Sequence, residues 1–502
     1  MLASGPVGPA GEKAIWRIST LTGVFRKLRD DVFGASVSPG NSHIAFLNGA
    51  RSDIWLMGPD AEDPRRVLSG DKETWFSRVE WSPDGRRLAY MKHRRKNGDI
   101  AIEILDLPAK QPTVVLSDRG LESFCWAPDG RIIYALAEPP PNETSSNLWD
   151  IRPAPQTGGV SGKPRRITNW AGFNLFYLTL STDGRRLAFV RGREQSDVYI
   201  GELEANGARL KSPWRLTIDD RIDWPGDWTR DSKSVLFFSD RNGNLDIFRQ
   251  GLVDRLAEAV IATQEEERGP QLSPDGSWIL YLAWPLSARR MRPKSGRLMR
   301  VPVSGGPPQL VLNVEGYPGS AQVAAQGSRL SARGYPDFRC PSAPGASCIL
   351  AQGTQNQIAF FAFDPLQGKP LEVARVDVDP SSVWSFWNLS PDGSRIAFGK
   401  DERNSGQIRI LPVTGGSNQQ VDVKGWVRLD AVAWAANGQS LFVDSWSPKG
   451  SSLLHVTPHG EAQLLRKSRM WIDRPMPSPD GRHLAFGEVT SNSNAWMVEN
   501  FR

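Results

Sequence analysis

A five-residue phrase recurs along nearly the whole chain of 502 residues, and it constrains the fold more than any other feature. Its clearest form is Trp81-Ser82-Pro83-Asp84-Gly85. Taken at the aspartate position, its copies fall at Gly40, Asp84, Asp129, Asp183, Asp231, Asp275, Asp392, Asn437 and Asp480. Seven of the eight steps between neighbouring copies measure 43 to 54 residues, and the remaining step, from Asp275 to Asp392, measures 117. Self-similarity at a fixed period indicates a repeat architecture.

Each phrase predicts a hairpin turn, because proline fixes φ near −65° and Asp-Gly supplies the polar, positive-φ residues of a tight turn. An alternating apolar strand follows each turn, as in residues 186–189. A third strand begins about fifteen residues after the aspartate, as in residues 246–248, and a more polar fourth strand closes the unit, as in residues 164–168. The repeat therefore predicts four short antiparallel strands.

Such a unit is the blade of a β-propeller, which protects its sheet edges by radial repetition and packs each blade against the next. The composition agrees, since 47 Gly and 38 Pro favour many short elements joined by turns. We therefore predict an all-β fold of about ten four-stranded antiparallel blades, the tenth being a degenerate copy over residues 338–377 with a strand at 356–361.

Rings usually contain four to eight blades, so ten blades favour more than one propeller. We predict a flexible segment at residues 1–12, an incomplete propeller of half a blade plus three blades at 13–160, and a propeller of about seven blades at 161–502. A segment near Pro164 would close that second ring. The alternative is one large ring, in which the strands at 14–18 and 24–28 complete the last blade, which ends at 494–498 without a fourth strand.

The three cysteines leave the compartment open. Cys125 stands alone, whereas Cys340 and Cys348 bracket a loop that contains Pro341, Pro344 and Gly345. In one interpretation all three are reduced thiols of a cytosolic protein. In the other, Cys340 and Cys348 form a structural disulfide in an oxidising compartment, because the loop can bring them to the required separation.

The repeat resembles a known family. The phrase Trp-Ser-Pro-Asp-Gly, with the segment 239–248 (Ser-Asp-Arg-Asn-Gly-Asn-Leu-Asp-Ile-Phe) after one copy, is similar to the TolB-like propeller repeat of bacterial proteins, a relative of the WD-type repeat. The segments 338–350 and 494–501 also resemble the C-terminal propeller of bacterial signalling proteins that carry a winged-helix DNA-binding domain or a Ser/Thr kinase. The resemblance implies a sensory or protein-interaction role. Neither DNA binding nor kinase activity is transferred to this chain.

Motifs for catalysis, phosphate binding and metal binding are missing from the sequence. No G-x-S-x-G nucleophile elbow and no P-loop occurs. His455 and His459 are four residues apart but lie on a strand that runs into a turn. The oxygen-bearing residues of 240–246 imitate a calcium loop, but the glycine stands at the wrong position, so we favour a hairpin turn. We predict no catalytic residue, no metal and no cofactor.

Two further features have a plain structural interpretation. The segments 384–387 and 224–228 each contain two tryptophans that could stack on a sugar or peptide, although aromatic side chains at strand starts more often pack between blades. The formal net charge of +6 is too dilute for a nucleic-acid surface. No nucleic-acid partner is therefore expected.

Two functions remain. In the first, the chain is a non-catalytic binding or scaffold module that offers its face and central channel to a protein, peptide or small-molecule ligand. In the second, it is a propeller hydrolase or lyase with a site built from loops in the channel. No membrane segment or signal peptide is recognisable, so we expect a soluble protein, periplasmic if the chain is part of a longer membrane-anchored protein.

Overall fold

The computed structural model describes residues 2–6, 13–19, 21–94, 98–108, 111–139, 142, 145–154, 160–285, 295–315, 336–353, 357–377, 385–400 and 405–501. Within these residues 41 β-strands are found, and the only helical segment is the 3-10 turn Ala205–Gly207. The chain divides into two compact units, the first formed by Met1–Arg193 and Ser493–Arg502, the second by Glu194–Asn492.

The second unit contains five four-stranded antiparallel sheets built from consecutive strands, which we call sheets A to E. Sheet A holds β20 (Asp223–Trp228), β21 (Ser234–Ser239), β22 (Asp246–Gly251) and β23 (Glu258–Ile261), and sheet B holds β24 (Glu266–Leu272), β25 (Trp278–Trp284), β26 (Ser295–Pro302) and β27 (Gln309–Glu315). Sheet C holds β28 (Asp337–Arg339), β29 (Cys348–Gly353), β30 (Gln357–Phe363) and β31 (Leu371–Asp377). Sheet D holds β32 (Ser385–Leu389), β33 (Arg395–Lys400), β34 (Gln407–Pro412) and β35 (Gln419–Asp422), and sheet E holds β36 (Leu429–Trp434), β37 (Leu441–Ser447), β38 (Gly450–Val456) and β39 (Ala462–Ser468).

A sixth sheet, F, joins the beginning and the end of this unit. Its order is β40 (Trp471–Pro477), β41 (His483–Glu499), β17 (Arg186–Glu204) and β19 (Trp214–Arg215), with the short β18 (Arg209–Leu210) also paired to β17. The last strands of the unit therefore pair with its first ones, which closes the unit as a six-bladed propeller.

Buried side chains fill the space between each pair of neighbouring sheets. Each of the six interfaces has its own cluster, illustrated by Trp228 and Ile200 between F and A, Leu236 and Ile279 between A and B, Leu298 and Leu350 between B and C, Phe360 and Trp387 between C and D, Ile408 and Val443 between D and E, and Phe442 and Phe486 between E and F. The core is thus distributed around the ring, as stacked repeats require.

The recurring phrase forms the turn between the first and second strands of a blade. In the copy at Ser390, the Ser390 hydroxyl donates to Asp392 at 2.5 Å, and the Gly393 N–H donates to the Ser390 carbonyl at 2.8 Å. Gly393 has a φ of 76°, which a side chain would strain. The hairpin turn and the four-stranded blades predicted from the repeat are both found.

The first unit contains five sheets. Three have four strands: β4 (Val32–Val37), β5 (Ile44–Asn48), β6 (Asp53–Met57) and β7 (Arg65–Ser69); β8 (Thr74–Trp81), β9 (Arg87–Arg94), β10 (Ile100–Asp106) and β11 (Pro112–Ser117); β12 (Leu121–Trp126), β13 (Ile132–Ala137), β14 (Ser146–Pro153) and β15 (Val160–Arg166). Another has three: β1 (Leu2–Pro6), β2 (Lys13–Ile18) and β3 (Phe25–Asp30). In the fifth, β16 (Asn174–Leu180) pairs with the first part of β17, and the last part of β41 follows.

The structure differs from the predicted domain boundaries at both ends of the chain. The segment at 1–12, expected to be flexible, contains β1, whose Ser4 pairs with Ile15; residues 7–12 lie outside the described part. The boundary expected near residue 160 lies at 193/194, because β15 completes its own sheet, with Arg166 opposite Trp149, instead of closing a second ring. The second unit has six blades, not seven, and residues 493–502 belong to the first unit.

Within the described ranges, no helix is long and apolar enough to cross a membrane.

Candidate functional site

The first strands of the six sheets of the second unit surround a central channel. Residues of β20, β24, β28, β32, β36 and β40, together with the turns that follow them, line a cavity of about 200 Å³. Because every sheet contributes the strand that begins its repeat, the lining is drawn from six points spread over about 250 residues of sequence. This channel is the candidate functional site.

Bulges turn side chains of these first strands towards the cavity. The register against the second strand shifts between Pro225 and Asp227, between Arg268 and Gln271, between Leu429 and Ala431, and between Asp473 and Met476. In the last of these, Arg474 has a φ of 50°, in the left-handed region. A bulge adds an unpaired residue and re-aims its side chain, which is a common device near binding sites.

The carboxylate of Asp227 joins sheets A and B. It accepts hydrogen bonds from the Trp228 N–H at 2.8 Å and from the Leu272 N–H on β24 at 2.7 Å. Burial raises the pKa of Asp227 to about 6, against the opposing effect of the two N–H donors. Both oxygens are therefore occupied, Oδ1 within β20 and Oδ2 across the interface to sheet B.

Three more aspartates line the channel, each with a partner. Asp337 accepts hydrogen bonds from the N–H of its neighbour Phe338 at 3.0 Å and from the guanidinium of Arg339 at 2.7 Å. Asp430 accepts from the indole N–H of Trp471 at 2.7 Å, which links sheets E and F. Asp473 forms an ion pair of 3.6 Å with Arg474.

These five charged residues (Asp337, Arg339, Asp430, Asp473 and Arg474), with Trp471, form what we call the charged end of the channel. All six side chains are partly exposed, whereas most other residues of the first strands are buried. Asp337, Asp430, Trp471 and Asp473 lie in the first half of their strands, and Arg474 lies at the middle of β40. Arg339 is the last residue of the short β28, but its guanidinium reaches back to Asp337. Because the first strands of propeller blades run in the same direction, we place this group at one mouth of the channel.

The opposite end is formed by the turns of the repeat. Here Arg230 donates to the carbonyls of Ser273 at 2.8 Å, Pro274 at 2.7 Å and Ser342 at 3.1 Å. Its guanidinium thus ties sheets A, B and C together and is occupied by backbone acceptors. Pro341, Pro391 and Pro479 complete this end.

The two cysteines singled out in the sequence lie at this same end. The structure places the sulfurs of Cys340 and Cys348 at 1.98 Å, as a disulfide that closes the hairpin loop between β28 and β29. Cys340 lines the channel. The third cysteine, Cys125, is a buried free thiol in the first unit.

The aromatic segments considered as stacking platforms are core residues. Trp224, Trp228 and Trp387 are 2%, 1% and 4% exposed, and each belongs to a cluster between two blades. Trp384 lies outside the described residues. Among the described lining residues, Phe386 and Trp471 are the partly exposed aromatic side chains.

The remaining candidates have structural roles. His455 is buried on β38 and bonds the Ser440 hydroxyl at 2.8 Å. Asn242 and Asn244 donate to Asp246 at 2.7 and 2.8 Å, which fastens the hairpin at Gly243. In the described part of the chain, no group of three or more His, Cys, Asp or Glu side chains is placed to hold a metal ion.

The charged end contains groups that are able to bind and orient a ligand. The lining residues within the described ranges include no histidine, and the Ser478 hydroxyl donates to Asp480 of its own turn at 2.6 Å. Among the described lining residues we find no nucleophile beside a base, which acyl transfer would require. The guanidinium groups, by contrast, present directional donors to a solvent-filled space.

Sequence reasoning did not identify the charged residues of the channel. One signal was available: Asp430 and Asp473 both stand seven residues before the aspartate position of the next phrase. Aligning the repeats on their turns would have placed both on a first strand. That they meet Arg339 from another blade is visible only in three dimensions.

Comparisons with known proteins concern the fold. No family model matches the chain. A protein of Agrobacterium fabrum described as uncharacterised is 26% identical over 221 residues, which cover 42% of this chain and 66% of that protein. The chain therefore matches just under two thirds of the length of this relative.

Among solved structures, TolB from Acinetobacter baumannii is 14% identical, with a TM-score of 0.21, over 75% of this chain and 78% of that one. The propeller domain of the Trilobed protease from Pyrococcus furiosus is 15% identical, with a TM-score of 0.25, over 63% and 90%. An oligogalacturonate lyase in complex with manganese is 14% identical, with a TM-score of 0.30, over 74% and 84%.

TolB and other β-propeller proteins are thus among the neighbours. The propeller fold itself rests on the six sheets and their shared cores. The resemblance to propellers of winged-helix or kinase signalling proteins stays a prediction.

Proposed function

We propose that the second unit is a non-catalytic binding module whose central channel receives the end of an extended ligand such as a peptide. The observation that carries this proposal is the channel itself: six strands enclose it, and its carboxylates are engaged in bonds to backbone N–H groups, an indole or arginines. Such a wall favours binding over proton transfer, because a general base needs a carboxylate available to the substrate.

The size of the cavity supports a small ligand or a chain end. At about 200 Å³ the cavity is smaller than the pockets of roughly 300–1,000 Å³ that enclose drug-sized ligands. A folded partner domain does not fit in this space, but a terminal residue or two does.

The proposed setting is the sensory or protein-interaction part of a bacterial signalling protein, outside the cytoplasm. The disulfide between Cys340 and Cys348 supports this setting, since disulfides persist in oxidising compartments such as the periplasm.

Filling the channel tests the proposal. Asn388 is half-buried on β32 and lines the cavity, so Asn388→Trp adds a large side chain to the lumen. Gln420→Trp makes the same change on β35, the outermost strand of the same sheet, and is the matched control. The probe is a pool of synthetic tetrapeptides observed by saturation-transfer NMR with the full chain.

We expect saturation transfer with the wild type and with Gln420→Trp, and at least tenfold less with Asn388→Trp. Equal transfer in all three proteins would show that binding does not use the channel. Peptide cleavage by the wild type that Asn388→Trp abolishes would make the channel an active site and overturn the non-catalytic proposal.

A further inference from the structure

Arg474 occupies an unusual position on the wall of the channel. It is the left-handed residue of the bulge in β40, with a φ of 50°. Non-glycine residues avoid this conformation because Cβ approaches the backbone. Strain of this kind concentrates at functional sites, where it fixes the direction of a side chain. Here it fixes the guanidinium towards the channel, with 20% of the side chain exposed.

The guanidinium of Arg474 is incompletely hydrogen-bonded within the described structure. The Nε atom lies 3.6 Å from Asp473, beyond hydrogen-bond distance, and has no hydrogen-bond partner in the described structure. Burial lowers the pKa of Arg474; Asp473 and Asp337 oppose this effect, while Arg339 and Arg268 add to it. An anionic group that entered the channel would meet a positive charge short of partners.

Arg339 lines the same channel as Arg474. Among the described residues, both side-chain hydrogen bonds of Arg339 leave from Nη1, to Asp337 at 2.7 Å and to the Phe338 carbonyl at 2.8 Å. Its guanidinium carbon lies 5.5 Å from the centre of the Trp387 ring, which holds the group in place. Because an arginine has five N–H donors, the edge formed by Nε and Nη2 is left for a ligand.

The other arginines near the channel differ in this respect. Arg230 gives three of its five N–H donors to backbone carbonyls at the opposite end. Arg268 pairs with Glu266 at 3.1 Å and is not a lining residue. Arg339 and Arg474 are therefore the described arginines that line the charged end of the channel.

We infer that Arg339 and Arg474 bind a carboxylate at the charged end of the channel, which deepens the proposed function and rests on it. A planar carboxylate with one negative charge matches the fork of a guanidinium. A dianionic phosphate is disfavoured, because Asp337, Asp430 and Asp473 surround the same space. The carboxylate can belong to the C terminus of a peptide or to a small free acid.

The inference is tested with two pairs of probes on the full chain. An N-acetylated tetrapeptide with a free C terminus is compared with its C-terminal amide, and acetate is compared with acetamide. Affinities come from saturation-transfer titrations. The free-acid peptide is expected to bind at least tenfold more tightly than the amide, and acetate is expected to compete with it while acetamide does not.

The variant Arg474→Lys retains the charge but loses the planar fork. We expect it to reduce the preference for acid over amide at least tenfold. The matched control is Arg428→Lys, since Arg428 also has a left-handed φ, 54°, but does not line the channel. Arg339→Lys provides a second test if Arg474→Lys does not fold.

The outcomes separate the two proposals. Equal binding of acid and amide, blocked by Asn388→Trp, would overturn the carboxylate inference and leave channel binding intact. Binding that Asn388→Trp leaves unchanged would overturn the proposed function. Competition by acetate as strong as that of the peptide acid would assign the site to small free acids instead of peptide termini.

Discussion

The first hairpins of sheets C and D make the same connection by different chemistry. In sheet D the turn is held by hydrogen bonds: Ser390 donates to Asp392 at 2.5 Å, and the Ser394 N–H donates to the same oxygen at 3.0 Å. In sheet C the sequence phrase is absent, and the disulfide between Cys340 and Cys348 closes the longer loop.

Each hairpin also contacts the next blade. Arg395, just after the turn of sheet D, donates to the Gly438 carbonyl at 2.8 Å and lies 4.4 Å from the centre of the Trp434 ring. The loop of sheet C instead donates the N–H groups of Ser342 and Ala343 to the Pro391 carbonyl, at 2.9 and 3.0 Å. The ring thus needs a fixed hairpin that reaches its neighbour, and either chemistry can supply one.

The largest loss of stability is expected from substitutions at the interfaces between these blades and their neighbours. Trp434→Ala removes a buried indole from the interface of sheets D and E, and should lower the free energy of unfolding by about 3–5 kcal/mol. Trp387→Ala, at the interface of C and D, should have an effect of the same size. Urea denaturation of the full chain measures both. An unchanged midpoint for either variant would show that its tryptophan does not stabilise the interface.

Loss of the disulfide is expected to give the next largest decrease in the free energy of unfolding. A double variant, Cys340→Ser with Cys348→Ser, frees a loop of nine residues and should cost about 2–3 kcal/mol on the chain-entropy estimate. Thiol labelling of the unfolded, unreduced protein should modify one cysteine, Cys125, and all three after reduction. Labelling of all three without reductant would contradict the pairing.

Removal of the turn hydrogen bond should have a smaller effect. Ser390→Ala removes the hydroxyl that donates to Asp392 and accepts from the Arg395 N–H at 2.9 Å, at a cost of about 1 kcal/mol. Ser394→Ala removes one bond to Asp392 from an exposed side chain and serves as the control, with a smaller shift of the urea midpoint. A loss for Ser390→Ala as large as that of the disulfide would remove the distinction between the two closures.

The smallest expected effect is a difference between the two hairpins in how the stability they contribute depends on pH. Burial acts in the opposite direction, yet the hydrogen bonds from Ser390 and Ser394 hold the pKa of Asp392 below its ordinary value. The stabilisation by this ionised group is therefore present above the unfolded-state pKa of about 4 and is lost as the pH falls through the lower folded-state value.

Asp392→Asn should flatten this acid loss, measured as urea midpoints between about pH 5 and pH 2. The loop from Cys340 to Cys348 contains no carboxylate, so the stability difference between oxidised and double-variant protein should not change over this range. If the stability difference between the oxidised protein and the double variant decreases as the pH falls, a titrating group outside the loop must interact with it.

The repeat made the blades predictable because it is a local signal. Proline and Asp-Gly fix a turn within five residues, and Ser82, Ser273 and Ser390 all form the same hydrogen bond to the aspartate two residues later. The division between units was not predictable in this way. β17 and β41 continue through residues 194 and 493 as single strands, so no break in the strand marks the change of unit.

The sequence by itself determined the all-β fold, the four-stranded blade and the position of its first hairpin, since turn chemistry and strand alternation act between near neighbours in the chain. Only the tertiary structure decided how many blades close the ring, that β17 and β40 share a sheet, and that Arg339, Asp430 and Arg474 meet at one end of a channel. The physical reason is distance along the chain. Closure of the ring joins residues as far apart as Leu203 and Arg482, which are 279 positions apart, and no local preference encodes which residues will meet.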